Sequence, residues 1–370
     1  MQKRVGLVIF SLSGGAGQVN TTLAEYFDAQ GLRVSLIFTN GEARLIERLR
    51  ADTNVELVQT NTRNVPFHAL RVARLLSGTK YDRVMVNSTS LFFPLYILLK
   101  PLKKQRLYLR IPSAIQPRVD SYGPVKRMVR WWVAWISLRV ADRVIANSEG
   151  TLWDAISISQ SVAAKGTYVY NPLPQEIHSA SNTSVVDRGM AGELTRVLNV
   201  GILEKQKDQA TLLRAFALVR DELDAVELTI VGEGSLRKAL ERLAQSLGIE
   251  DVVNFAGYSS DTPKYYSRAD VFVLSSIYEG FGVVVVEALS HGCSVVCTDC
   301  PHGPKEILEN GRFGYVAKVC DYQDLASKIL SAIYQPITYR PSVALDRFRI
   351  QNIGPGYISA LDMTTSVSRA

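Results

Sequence analysis

Short apolar runs alternate along the chain with longer stretches whose apolar residues recur at helical spacing. Six runs in the first half are rich in β-branched or aromatic residues and predict strands. They are VGLVIF (5–10), VSLIF (34–38), RVMVN (83–87), RLYLR (106–110), RVIAN (143–147) and TYVY (167–170). Strands joined by helical connections are typical of βαβ units, so the pattern predicts a parallel sheet.

The same alternation restarts after a polar stretch, SASNTSVVDRGMAGE, which we interpret as part of a linker. Six further runs predict strands: RVLNVG (196–201), ELTIVG (227–232), VVNFAG (252–257), VFVL (271–274), SVVCT (294–298) and GYVA (314–317). We therefore predict an α/β fold of two Rossmann-like parallel-sheet domains facing an interdomain cleft. The predicted boundaries are 1–175, a linker at 176–195, and 196–347, with a C-terminal helix in 348–370 that could pack back on the first domain.

The run Val283–Val286 is locally ambiguous because four consecutive valines favour a strand. It continues into EALSHG without a turn signal, and Gly292 is well placed to end a helix. We therefore predict a helix here, opened by the Gly-Phe-Gly at 280–282.

Composition narrows the class of protein. The chain has 370 residues, of which 47% are hydrophobic and 21% charged, as expected for a soluble globular protein of two domains. No uninterrupted apolar stretch reaches the roughly 18–20 residues that span a bilayer. The apolar run at 5–10 is too short for a signal peptide and leads into a Gly-rich turn, so a cytoplasmic location is expected.

Three of the four cysteines, Cys293, Cys297 and Cys300, have the C-x3-C-x2-C spacing of an iron–sulfur loop. Cys297 lies inside the predicted strand SVVCT, however, where its side chain would be buried. We therefore expect neither a cluster nor a disulfide framework.

The net charge of +7 is unevenly distributed. Residues 1–175 carry 23 Lys and Arg against 11 Asp and Glu, a net +12, whereas the remainder carries 19 against 24, a net −5. A basic half favours an anionic partner, such as a phosphate-bearing substrate, a membrane surface or nucleic acid. No nucleic-acid-binding motif accompanies the charge.

Basic residues and tryptophans interleave between residues 100 and 143. The residues that would contact a membrane or acceptor are Lys103, Lys104, Lys126, Arg127, Arg130, Trp131 and Trp132. Such a pattern on an amphipathic helix suits an anionic membrane interface. The alternative is that the tryptophans face the domain core and the charges form a solvated surface.

Glycines and lysines follow several predicted strands. Gly14, Gly15 and Gly17 precede the first helix, where backbone amides and the helix dipole could hold an anion; the alternative is a simple tight turn. In the second half Lys205 and Lys207 follow the first strand, where they could hold a diphosphate or be merely solvated. The next strand leads into Gly232 and Gly234, with Ser235 as the expected N-cap; this is either a ligand loop or an ordinary turn.

Two carboxylates flank the ambiguous valines. Glu279 directly precedes the predicted helix and could accept hydrogen bonds from sugar hydroxyls, while the Gly282 amide and the helix dipole could hold a diphosphate. Glu287 lies among apolar neighbours, so its carboxylate needs partners. A ribose diol would supply two donors; a core Arg or Lys is the alternative.

These stretches resemble the retaining glycosyltransferases of family 4, which have the two-Rossmann-domain GT-B architecture. The resemblance covers most of the chain and is sharpest from Val197 to Leu330. The motifs that carry it are VGILEKQKDQATLLRAF, IVGEGSLRKALERLAQSLGIEDVVNFAGY, the E-x7-E of YEGFGVVVVEALSHG, CPHGPKEIL and, in the first half, SGGAGQVNTTLAEYF, ADRVIANSEG and YNPLP.

The resemblance implies a role for each candidate residue. Glu279 would hold donor-sugar hydroxyls, Glu287 the nucleotide ribose and Lys207 the diphosphate, with Arg110 as a further catalytic candidate. The other donor-binding candidates are Gly15, Lys205, Gly232, Gly234, Phe281, Gly282 and His302. The family implies no required metal and no cofactor beyond the nucleotide sugar, so fixed cations and helix amides would stabilise the leaving diphosphate.

The chain departs from the family pattern at two places. Ile202 stands where the family usually has an arginine of the diphosphate clamp. Lys205 could substitute for it, although lysine lacks the bidentate fork of arginine. The usual first-domain histidine is also missing, so that Asn87, Ser88, Arg110 or Ser113 would have to serve.

We therefore predict a peripheral membrane, retaining hexosyltransferase acting on the cytoplasmic face. It would move a hexose or N-acetylhexosamine from a UDP-sugar, or less expectedly a GDP-sugar, to a lipid-linked or polysaccharide acceptor in bacterial surface glycan assembly. The alternatives are a catalytically inactive GT-B partner subunit, suggested by Ile202 and the missing histidine, and a sugar-nucleotide epimerase, which would need no acceptor.

Overall fold

The computed structural model describes residues 3–62, 64–78, 81–99, 105–117, 122–173 and 194–363. It divides the chain into two compact units, Met1–Pro174 with Phe348–Ala370, and Gln175–Arg347. These bounds lie close to the predicted 1–175 and 196–347. Most of the predicted linker lies outside the described residues, and the first strand of the second unit already begins at Thr195.

The first unit is built on a seven-stranded sheet of order β5-β3-β1-β6-β7-β8-β9, and all of its ladders are parallel. Its strands are β1 (Arg4–Val8), β3 (Arg33–Phe38), β5 (Glu56–Gln59), β6 (Arg83–Val86), β7 (Arg106–Ile111), β8 (Arg143–Ala146) and β9 (Gly166–Tyr168); the short strands β2 (Ser11–Leu12) and β4 (Asn40–Gly41) pair separately. Its helices are α1 (Gly14–Ala29), α2 (Ala43–Asp52), α3 (Val65–Gly78), α4 (Thr89–Leu99), α5 (Pro124–Val140) and α6 (Glu149–Ile158). The apolar residues of the central strands are buried against these helices.

The second unit has a six-stranded parallel sheet of order β12-β11-β10-β13-β14-β15. Its strands are β10 (Thr195–Val200), β11 (Val226–Val231), β12 (Val253–Gly257), β13 (Val271–Leu274), β14 (Ser294–Thr298) and β15 (Tyr315–Ala317). Its helices are α7 (Gln209–Glu222), α8 (Arg237–Ser246), α9 (Pro263–Tyr266), α10 (Val283–Ser290), α11 (Pro304–Ile307), α12 (Tyr322–Tyr334) and α13 (Pro341–Leu345).

All twelve predicted strands are present, with bounds within two residues of the prediction. The prediction missed β5 because this strand lies at a sheet edge, where its residues are half-buried or exposed. Cys297 is fully buried in β14, as its apolar neighbours indicated.

The four valines form the first turn of α10, which confirms the helix prediction. Gly282 precedes the helix with φ +92°, a left-handed conformation that turns the chain out of the preceding loop. Val285 and Val286 are buried, so burial outweighs the intrinsic strand preference of valine.

The C-terminal segment packs on the first unit. Helix α14 (Ile350–Ala360) lies against α1, and a Cβ at Gly354 would come within 2.2 Å of the Tyr26 ring. Asp362 accepts hydrogen bonds from Arg143, Arg106 and the Tyr108 hydroxyl at 3.1–3.3 Å. This end of the chain is therefore joined to the first sheet, as the prediction allowed.

Candidate active site

The candidate site in the second unit forms where two neighbouring strands end. β10 is followed by Gly201 and a 3-10 turn, Lys205–Lys207, and β13 by the loop from Ser275 to Gly282. Because β10 and β13 are parallel neighbours, their carboxyl ends meet at one edge of the sheet. This brings Lys207 and Glu279 together across 72 residues of sequence.

Lys207 and Glu279 form an ion pair with 2.5 Å between Nζ and Oε1. The two side chains are only 13% and 9% exposed, so each charge depends on the other for its stability. The Ser276 hydroxyl donates to the same Oε1 at 2.7 Å. Within the described part of the chain both bonds go to Oε1, which leaves Oε2 of Glu279 for a ligand.

Three hydrogen bonds to backbone carbonyls join the two loops. The Gln206 side-chain amide donates to the Tyr278 carbonyl at 2.9 Å, and the Ile277 amide donates to the Gln206 carbonyl at 2.8 Å. The Ser275 hydroxyl donates to the Lys207 carbonyl at 2.8 Å. These hydrogen bonds fix the geometry of the ion pair before a ligand binds.

A third loop, residues 301–303, lies against the Glu279 loop. The Glu279 amide donates to the Pro301 carbonyl at 3.3 Å. Gly303 has φ +96°, and a Cβ there would lie 2.3 Å from the Phe281 carbonyl oxygen, so only glycine permits this approach. His302 is thereby placed beside the Glu279 loop, half-buried, while Phe281 is buried.

Glu287 lies on α10, eight residues after Glu279, and is half-buried. Its Oε2 accepts a hydrogen bond of 2.8 Å from the Tyr266 hydroxyl. Burial of Tyr266, followed by the negative charge of Glu287, raises the pKa of this phenol well above its usual value. Tyr266 therefore remains a neutral donor to Glu287. Sequence reasoning missed it, having expected a ribose, an Arg or a Lys as the partner.

Gly232 and Gly234 allow the loop after β11 to lie directly on the loop after β10. A Cβ at Gly232 would come within 1.9 Å of the Gly201 carbonyl oxygen, and one at Gly234 within 2.4 Å of the Leu203 carbonyl oxygen. The predicted N-cap at Ser235 is wrong: α8 begins after Leu236, and Ser235 instead donates to the Glu204 carboxylate. Lys205 is exposed in its 3-10 turn.

Cys300 lies beside this site, and burial together with the nearby Glu279 charge raises its pKa to about 12. A thiol with that pKa stays protonated at neutral pH, so it is a poor nucleophile.

Arg110 in the first unit is enclosed by other side chains. It is only 1% exposed, and each guanidinium nitrogen donates to a side chain: Nε to the Tyr357 hydroxyl at 3.1 Å, Nη1 to Asn87 Oδ1 at 2.9 Å and Nη2 to Asn171 Oδ1 at 2.5 Å. A guanidinium enclosed in this way supports the fold of the first unit, and the catalytic role predicted for Arg110 stays untested. The sequence could not reveal this, because two of the three partners follow it by more than 60 residues.

The Gly-rich turn of the first unit places Gly15 in the exposed first turn of α1. The preceding amide, that of Gly14, donates to the Glu42 carboxylate at 2.8 Å. The N-terminus of α1 therefore already has a negatively charged neighbour in the position where a bound anion would lie. Ligand contact by Gly15 stays a prediction.

A pocket of about 560 Å³, its open mouth included, lies at the carboxyl ends of β6 and β7. Three of the residues proposed to replace the missing histidine line it, namely Asn87, Ser88 and Ser113. Arg130 from α5 lines the same pocket and adds a positive charge.

The tryptophan-rich helix was predicted either to form a membrane or acceptor surface or to direct its tryptophans into the core. The structure divides its tryptophans between exposed and core positions. Trp131 and Trp135 pack against the core of the first unit, as the structural interpretation expected. Trp132 is 50% exposed, and Lys126 and Arg127 are exposed beside it. Lys103 and Lys104 lie outside the described residues.

The two parallel-sheet α/β units have the architecture of the GT-B glycosyltransferases, with a carboxylate, a lysine and glycine-rich loops at the strand ends of the second unit. Sequence comparison gives the family. The model for glycosyltransferase family 4 matches residues 13–176, and the model for glycosyl transferases group 1 matches residues 186–342. The chain belongs to this family of glycosyltransferases.

Relatives agree with this assignment. The chain is 29% identical over 334 residues to the N-acetylgalactosamine-N,N'-diacetylbacillosaminyl-diphospho-undecaprenol 4-alpha-N-acetylgalactosaminyltransferase of Campylobacter jejuni, covering 86% of this chain and 87% of that protein. It is 34% identical over 226 residues to the lipopolysaccharide core biosynthesis glycosyltransferase LpsE of Rhizobium meliloti, covering 59% and 61%. The solved structure of Anabaena HepE with UDP and glucose superposes with a TM-score of 0.79 at 20% identity, covering 98% of this chain and 100% of that one.

Proposed function

We propose that the protein is a retaining glycosyltransferase that moves a hexose or N-acetylhexosamine from a UDP-sugar to a lipid-linked or polysaccharide acceptor in bacterial surface glycan assembly. The observation that carries the proposal is the buried Lys207–Glu279 pair at the strand ends of the second unit. The Campylobacter and Rhizobium relatives, which by name act on a diphospho-undecaprenol-linked glycan and in lipopolysaccharide core synthesis, support the acceptor class. The UDP in HepE supports a uridine donor over a guanosine one.

The pair suits a sugar diphosphate chemically. An ammonium has three donors, so Lys207 can keep its bond to Glu279 and still donate to a phosphate oxygen. Oε2 of Glu279 would accept a hydroxyl of the donor sugar, and Glu287, oriented by Tyr266, would accept the ribose hydroxyls. The leaving diphosphate would be stabilised by Lys207, Lys205 and the N-terminus of α10, without a required metal.

The pocket of the first unit suits the acceptor. Asn87, Ser88 and Ser113 offer amide and hydroxyl groups to a glycan, and Arg130 offers a charge to an acidic group such as phosphate. We assign this pocket to acceptor binding in place of Arg110.

The test is release of UDP from a panel of UDP-sugars and GDP-sugars, with and without a membrane lipid extract. We expect one UDP-sugar to be consumed, faster with lipid, by the wild type and not by Glu279→Ala. Addition of EDTA should leave the rate unchanged. GDP release would correct the nucleotide, and an EDTA-sensitive rate would show that a metal is required.

A second candidate function is a catalytically inactive partner subunit, which Ile202 favours. Its side chain is 53% exposed just beyond β10, where the family arginine would be. Such a subunit should bind no UDP by titration calorimetry and release none from any donor. Tight UDP binding would exclude it.

A further inference from the structure

Arg110 is connected to the candidate acceptor pocket of the first unit by one hydrogen bond. Its Nη1 donates to Asn87 Oδ1 at 2.9 Å, and Asn87 lines the pocket at the carboxyl ends of β6 and β7. Asn87 is half-buried, whereas Arg110 is 1% exposed and is not among the described residues that line the pocket. The guanidinium therefore acts on the pocket through the side-chain amide of Asn87.

This hydrogen bond fixes which end of the Asn87 amide faces the guanidinium. A guanidinium has only donors, so the Asn87 atom that faces Nη1 must be the oxygen. The nitrogen Nδ2 lies on the other side of the amide, and among the described residues it makes one long contact, 3.4 Å to the Val8 carbonyl. Because an amide NH2 has two donors, one of them is left for a ligand.

The other partners of Arg110 prevent its guanidinium from turning away from Asn87. Nε donates to the Tyr357 hydroxyl at 3.1 Å and Nη2 to Asn171 Oδ1 at 2.5 Å. Tyr357 is fully buried and Asn171 is 7% exposed, so rotation of the guanidinium would leave both oxygens unsatisfied and away from water. The planar guanidinium makes all three bonds at once, which the compact ammonium of a lysine would not reproduce.

We propose that Arg110 is a positioning residue, which holds Asn87 with its N–H directed to an oxygen atom of the acceptor. Without Arg110 the amide could rotate and present its oxygen to the same ligand atom. Among the described residues that line the pocket there is no carboxylate, so an acceptor oxygen meets no negative charge there. The inference rests on the proposed function, because it assigns the pocket to the acceptor.

The test is the rate of UDP release from the donor that the wild type consumes, measured over a range of concentrations of membrane lipid extract. Asn87→Asp keeps an oxygen for Arg110 but replaces the N–H donor by a second acceptor. We expect the half-saturating concentration of lipid extract to rise about tenfold or more, because a hydrogen bond is replaced by repulsion between two oxygens. UDP affinity should be unchanged, and the thermal midpoint should not fall, since Arg110 then faces a carboxylate.

A double-mutant cycle tests whether Arg110 acts through Asn87. Arg110→Lys keeps the charge and should raise the half-saturating concentration of lipid extract about fivefold, because the amide is no longer oriented. In an Asn87→Ala background the same substitution should change nothing further, since no amide is left to orient. A merely structural role of Arg110 would produce the same change in both backgrounds.

Tyr357→Phe is the matched control. It removes the bond to another nitrogen of the same guanidinium and leaves Asn87 in place, so the response to lipid extract should equal that of the wild type. The inference is overturned by a normal response in Asn87→Asp, by an additive cycle, or by equal effects of Tyr357→Phe and Arg110→Lys. A wild type that releases UDP without stimulation by lipid extract would instead refute the acceptor assignment, and this inference with it.

Discussion

Each of the two sheets has a buried cation near its strand ends, and the two cations differ in what neutralises them. Lys207 is paired with the carboxylate of Glu279. Arg110 is surrounded by neutral oxygen atoms from Tyr357, Asn87 and Asn171, one for each of its nitrogens. Lys207 retains donors for a ligand and its side chain is 13% exposed, whereas Arg110 is only 1% exposed and each of its nitrogens already donates within its own unit. We therefore expect the two cations to differ in role, with Lys207 binding a ligand and Arg110 stabilising its own unit.

The largest expected effect tests the ligand role of Lys207. Lys207→Met should lower the rate of UDP release by about 100-fold or more, because it removes a cation from the leaving diphosphate. Lys305→Met is the control, since Lys305 forms an exposed ion pair with Asp299 in the same unit. A Lys207→Met rate within threefold of the wild type would contradict the assignment.

The next effect tests the structural role of Arg110. Arg110→Met removes three side-chain hydrogen bonds, two of them to the buried Tyr357 and Asn171, and should lower the free energy of unfolding of the first unit by about 3 kcal/mol. All four tryptophans lie between residues 131 and 153, so tryptophan fluorescence reports on this unit alone.

The control for Arg110 is Arg106→Met on the same strand, whose side chain is 60% exposed and whose loss should cost less than about 1 kcal/mol. UDP affinity should be unchanged in both variants. A selective loss of UDP affinity in Arg110→Met would return Arg110 to the site.

A smaller effect concerns the support of Glu287. Tyr266→Phe removes the hydroxyl that donates to Glu287 and should weaken UDP binding about fivefold, as measured by titration calorimetry. Tyr265→Phe, its neighbour in the chain, should leave the affinity unchanged. Equal affinities in all three proteins would show that Tyr266 does not orient Glu287.

The smallest effect is a pH dependence confined to the first unit. His68 is fully buried between Thr60 and the Ile9 carbonyl, and burial lowers its pKa. The unfolded chain gains a proton near pH 6.5 while the folded chain does not, so stability is complete above that pH and falls as the pH drops towards the lowered pKa. Fluorescence-monitored urea unfolding should show a decline of up to about 1.4 kcal/mol per pH unit, which His68→Gln should flatten.

The sequence predicted where the site of the second unit lies, but it did not predict all of the residues that form it. Glu279 and Lys207 follow predicted strands and Glu287 lies on a predicted helix, so their positions could be predicted from the local pattern. Ser276 and Tyr266, which donate hydrogen bonds to Glu279 and Glu287, could not be predicted in this way. Serine and tyrosine occur in many other structural contexts, so no sequence pattern marks these two. The surroundings of Arg110 could not be predicted for a related reason: a strand-end arginine in sequence does not show whether its guanidinium faces a ligand or is enclosed.

The order of apolar and polar residues by itself determined the two parallel sheets and the helix at Val283–Ser290, because hydrophobic period and glycine placement are local properties of the chain. The motifs at the strand ends carried the resemblance to the family. Only the tertiary structure decided which charges are paired. It placed Lys207 against Glu279, enclosed Arg110, and turned Trp131 inward and Trp132 outward on one helix. The physical reason is that burial and hydrogen bonding depend on contacts between residues far apart in sequence, which form only when the strand ends meet and the helices pack on the sheets.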